Sequence, residues 1–93
     1  MEPLIGRQAL DSLGNALVTR GVDAATVGDV LADLSDLSYA LMVVAAHYKR
    51  LADGEDAEEL LDEIESQARD HMLGHVRSLR STVSKIRRQL KVD

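Results

Sequence analysis

The sequence predicts an all-α fold of three helices. The two long ones are antiparallel and form a helical hairpin, associating further into a four-helix bundle or coiled-coil oligomer. Three observations predict it. Apolar residues recur at three- and four-residue steps along most of the chain. Acidic or hydroxyl residues at starts and glycines at ends cut that pattern into three segments. The only proline, Pro3, stands at the very beginning, so none interrupts a segment.

The first helix is expected over about residues 3–20. Pro3 suits a first turn, where its missing N–H costs nothing. Ile5, Ala9, Leu10, Leu13, Leu17 and Val18 follow helical spacing, and Gly21 with apolar Val22 beyond it has the form of a glycine C-cap. The second helix is expected over about 26–52, with Asp23 as an N-cap or Thr26 with Asp29 as a capping pair. Val27, Val30, Leu34, Leu37, Leu41, Val44, Tyr48 and Leu51 then step alternately by three and four, which predicts a heptad seam. Between residues 40 and 46 the apolar face widens, so that section is expected to touch more than one neighbour.

Asp53-Gly54 ends that helix, and Asp56 with Glu59 opens a third over about 56–91. Its apolar positions run Ala57, Leu61, Ile64, Ala68, Met72, Val76, Leu79, Val83, Ile86 and Leu90. Three consecutive steps of four around Met72 predict a stutter that relaxes the supercoil, and Gly74 is a weak point costing about 1 kcal/mol relative to alanine. Such a helix would be about 54 Å long. A compact domain of this size has a radius of gyration near ~12 Å and cannot enclose it. The short connection makes the long helices antiparallel, with residue 54−x opposite 54+x. Lys49 and Arg50 then meet Glu58 and Glu59. Asp29, Asp33 and Asp36 meet Leu79, His75 and Met72, within reach of Arg77 and Arg80. The last part of the third helix overhangs unless the first helix or another chain covers it.

At 93 residues the chain is one domain, residues 1–93, with a thin core. It has no cysteine, so neither disulfides nor thiolate metal sites reinforce it, and its only aromatics are Tyr39 and Tyr48. Oligomerisation is a natural source of further buried area. Glu2 and Pro3 stand where a signal peptide would be basic, and the longest apolar run, residues 40–46, is far shorter than the roughly 20 residues of a membrane span. The expectation is a cytoplasmic protein without membrane contact. The net charge of −5 is unevenly spread: residues 53–68 carry eight acids and no base, and residues 69–93 carry seven bases against two acids.

Four features are candidates for function. The basic C-terminal stretch Lys85, Arg87, Arg88 and Lys91 is an anion-binding candidate, for nucleic acid above all. The plainer reading is that it complements the helix dipole or pairs with a partner's acidic segment. His71 and His75, four apart on one face, are metal-ligand candidates, with Asp33 and Asp36 nearby, although a second carboxylate–histidine set is lacking. The segment Arg69-Asp-His-Met-Leu-Gly-His75 resembles the Arg-x(4–6)-His element of HEPN ribonucleases, which are helical and usually dimeric. That resemblance covers seven residues and implies Arg69 and His75 as a pair acting on an RNA phosphodiester. The acidic run at 53–65 resembles, at Glu58-Glu59 and Asp62-Glu63, the carboxylate-rich helices of all-α NTP pyrophosphatases, without the facing acidic set those enzymes use. Tyr48 is expected in the core and His47 partly buried. No serine has an adjacent base.

The residues therefore predict a non-enzymatic interaction or assembly module with no cofactor and no committed metal site. It would be a homo-oligomer, a dimer first, serving as structural subunit, adaptor or small inhibitor of another protein. Its interface is assigned to Leu37, Leu41, Val43, Val44, Tyr48, Val83, Ile86 and Leu90. Nucleic-acid binding through the basic end is the alternative, and a HEPN-like ribonuclease the more distant one.

Overall fold

The computed structural model describes residues 5–90, and among these there is no strand. The elements are α1 (Arg7–Arg20), α2 (Ala24–Ala52), α3 (Ala57–Ser66), a π-helical stretch (Gln67–Met72) and α4 (Leu73–Leu90). The junction residues Gln67 and Leu73 keep right-handed helical angles. α3, the π stretch and α4 are thus one helical rod, and the described residues form three helices.

α1 begins at Arg7, later than expected, behind an extended Gly6 that offers no capping side chain. The Ile5 N–H donates instead to Ser38 Oγ at 3.1 Å, tying the entry of α1 to α2. Pro3 lies outside the described residues. At the other end Gly21 adopts φ 104°, a left-handed conformation that a Cβ would strain. Its N–H reaches Val18 O and the Val22 N–H reaches Leu17 O, so two orphan carbonyls are satisfied while Val22 is buried.

Asp23, and not the Thr26–Asp29 pair, caps α2: its Oδ1 accepts the Thr26 N–H at 2.8 Å. Asp56 caps α3 through the Glu58 N–H. Where the sequence has consecutive steps of four, the rod widens into a π stretch, so the expected supercoil stutter is a local change of helix type. His71 within the π stretch and His75 just beyond it are both half-buried, and His75 faces α2.

α2 packs against α1, α3 and α4. Its pairings run antiparallel to the rod: Arg50 with Glu55, Asp33 and Asp36 with His75, Asp29 with Lys85, Asp23 with Gln89. Two expectations are corrected here and one is refined. Asp29, Asp33 and Asp36 meet Lys85 and His75, and not Arg77 and Arg80, because the shorter His75 side chain already faces them. Arg50 bonds Glu55 across the loop, with Glu59 of the expected pair still near enough to favour its charge. The end of α4 does not overhang: Gln89 accepts the Asp23 N–H and donates to Asp23 and Thr26, which anchors it at the α1–α2 corner.

The largest correction concerns the seam. Val30, Leu37, Val44 and Leu51 do lie on the contact side, but their companions are Thr26, Asp33, Ala40 and His47. The expected companions Leu41 and Tyr48 are exposed. The physical reason is that α2 has two contact faces. The rod takes one flank of the shared row and α1 takes the other, over Val27 and Leu31, to which Gly14 lies close. Apolar periodicity marks the union of both faces. The small and polar residues 33, 40 and 47 lie toward the rod, with Ala40 fully buried.

Candidate functional site

The most buried ionisable contact among the described residues lies where α2 passes the start of α4, just beyond the π stretch. Asp33 is 5% exposed, and its Oδ1 lies 2.9 Å from His75 Nδ1. His75 Nε2 lies 3.5 Å from Asp36 Oδ2, so both ring nitrogens face carboxylates of α2. Asp33 Oδ2 is buried without a partner. The His71 ring stands 5.2 Å from that of His75, centroid to centroid, with its Nδ1 bonded to Gln67 Oε1 at 3.0 Å. Both ring nitrogens of His75 and the Nδ1 of His71 are turned to Asp33, Asp36 and Gln67. No group of three or more metal-ligating side chains is assembled among the described residues.

Arg69 and His75, the pair implied by the ribonuclease resemblance, hold different partners. Arg69 lies on the exposed surface against Glu65 at 3.0 Å and Asp70 at 3.1 Å, whereas His75 is turned into α2. The Asp70 hydrogen bond holds the Arg69 guanidinium above its ordinary range, and Arg69 in turn holds the Asp70 carboxyl below its own. A separate polar pocket of about 150 Å³ opens beside the α2–α3 turn, lined by His47, Arg50, Glu55, Asp56, Glu59, Leu60 and Glu63. Arg50 and Glu55 close one wall as a pair at 2.9 Å, each reinforcing the other's charge. His47 is partly buried, with Nδ1 unpartnered. The basic end divides: Lys85 reaches Asp29 at 3.7 Å, Arg87 and Arg88 are exposed, and Lys91 lies outside the described residues.

The assigned interface residues fall into two groups. Leu37, Val43, Val44, Ile86 and Leu90 are half-buried within the chain. Leu41, Tyr48 and Val83 are exposed. One row of α2 explains the difference. Val27, Leu34, Leu41 and Tyr48 are seven apart and share a flank. Val27 beneath α1 is 6% exposed, Leu34 is half-buried, Leu41 is 43% exposed and Tyr48 53%. Among the described residues, the row loses its cover beyond the start of α1, at the Ile5–Ser38 tie. The sequence reading missed Leu61 and Val76 of the rod, also exposed apolar residues. Their place in the regular apolar pattern was the available signal, and it pointed to a seam.

By length and composition, α2 is also the one helix among the described residues that could cross a membrane, which the short run at 40–46 did not suggest. No known protein family, characterised protein or solved structure matches the chain.

Proposed function

We propose that the protein is a non-enzymatic helical interaction module, acting in the cytoplasm through self-association and capture of a protein partner. In this reading α2 and the α3–α4 rod form a helical hairpin that gains its missing cover from another copy, giving a bundle. Its role is that of a structural subunit, adaptor or small inhibitor. The observation that carries the reading is the uncovered apolar row of α2, set beside a buried apolar core of only Val22, Val27, Val30, Ala40 and Leu60 among the described residues. A core so thin leaves association as the available source of further burial. Light scattering at low and high salt tests it: a defined oligomer persisting at high salt is expected, since apolar burial is not screened. A monomer at all concentrations overturns it.

A second reading, nucleic-acid binding, draws on the exposed Arg77, Arg80, Arg87 and Arg88 of α4. Its test is a gel-shift series across salt. Phosphate contacts require a steep fall in affinity as salt rises, and no shift at low salt removes the reading.

A further inference from the structure

We infer that the occupant of the uncovered row is a second copy of this chain, laid antiparallel over the turn-proximal half of the first through a twofold axis near Ala45. The inference rests on the self-association reading and specifies its geometry.

The face continues one that is already used. α1, at 14 residues, is about 21 Å long, against about 44 Å for the 29 residues of α2. It therefore covers only half of the flank. Beyond Ser38 the same flank carries Leu41, Ala45 and Tyr48. On the rod the matching stripe carries Leu61, Ala68 and Val76, all exposed. In antiparallel helices, rows displaced in the same rotational sense from the seam open to the same side of the pair. A Cβ at Gly21, at the end of α1, would stand 4.0 Å from Leu90 Cδ2. Leu90 follows Val76 and Val83 at seven-residue steps, which places α1 on that same side. The pair thus has one broad apolar face: α1 covers its α2 side at one end, the rod's Val76 and Val83 stay exposed beside it, and the turn-proximal part is open.

The area fits a second copy. The chain exposes 6600 Å², whereas a folded monomer of its 10.2 kDa mass exposes about 5300 Å². The radius of gyration is 16.3 Å, against about 12 Å for a compact chain of this length. The excess surface, about 1300 Å², exceeds the roughly 800 Å² that each partner buries in a standard interface. A twofold contact uses one patch twice, as a self-complementary apolar face requires. The two orientations differ sterically. With both turns at the same end, the two α1 helices would compete for one layer. With the turns at opposite ends, each open half meets the other, and each α1 abuts the partner's Asp53–Gly54–Glu55 turn.

Single substitutions in the cysteine-free chain test this. Near the axis, Ala45→Cys should stand opposite its own copy, within the roughly 7 Å between Cα atoms that a disulfide needs, and should link covalently on mild oxidation. Leu41→Glu and Tyr48→Glu should halve the mass seen by light scattering while helical circular dichroism is retained, because both positions are exposed in the single chain. Tyr39→Glu, exposed but off the row, should leave the mass unchanged. A dimer that survives both row substitutions and fails to link at Ala45→Cys overturns this geometry while the self-association reading stands. A wild-type monomer, whether free or collected on lipid vesicles, overturns both.

Discussion

Replacing His75 with alanine strands a buried carboxylate. Asp33 has one oxygen without a partner already, and its other oxygen depends on His75 Nδ1 at 2.9 Å. A charge-assisted hydrogen bond of this kind contributes about 1.5–3 kcal/mol, and breaking a fully buried pair costs about 3–5 kcal/mol. The His75 side chain is 23% exposed, so water can enter where the ring was, and the lower part of that range applies. A loss of about 2 kcal/mol is expected, of which alanine's helix propensity returns about 0.5 kcal/mol. For a domain of this size the net effect lowers Tm by roughly 6–12 °C. Asp33→Leu replaces the buried charge with an apolar side chain of similar size, so it should lie within about 1 kcal/mol of wild type. The double variant should match Asp33→Leu alone, giving a coupling comparable to the His75→Ala cost. Urea and thermal unfolding at one fixed protein concentration measure all four corners of the cycle. If the two single effects are equal and additive, the carboxylate does not depend on His75 and the reasoning fails.

The corner between α1 and α2 should soften in acid. The Asp23 carboxyl is held below its ordinary 3.8, first by accepting the Thr26 N–H and then the Thr26 hydroxyl, with Lys85 and Gln89 adding to this and burial opposing it. A depressed folded value means that the stabilisation is fully present above about pH 3.8 and is lost as pH falls from there through the folded value. Acid titration followed by circular dichroism should therefore show a limb in that window that Asp23→Asn flattens. Two glycines should respond with opposite signs. Gly21→Ala forces a Cβ into φ 104° and should cost about 1–2 kcal/mol. Gly74→Ala, inside α4 with nothing within 4 Å of its Cβ position, should gain about 1 kcal/mol, and urea midpoints decide both.

The sequence by itself determined what depends on neighbours within a turn or two. The caps at Asp23 and Asp56 and the glycine end at Gly21 were readable because side chain and backbone meet over two to five residues. The change of helix type at Gln67–Met72 was visible as a run of fours, although not its form. The approach of Asp33 to His75 followed from a short turn and antiparallel helices, since the turn fixes the register.

Only the tertiary structure decided which flank of α2 meets which neighbour. Residues 33, 40 and 47 lie on one side of the row Val30–Leu37–Val44–Leu51, and residues 34, 41 and 48 on the other, and either set completes a heptad step. Local spacing scores the two alike and favours the apolar set, Leu34, Leu41 and Tyr48. The fold gives that flank to α1, whose 14 residues reach only half its length, and gives the flank of Ala40 to the rod. An apolar pattern records every face built to be covered. Which faces the chain covers itself, and which it leaves open, depends on helix lengths and on where each helix ends against another.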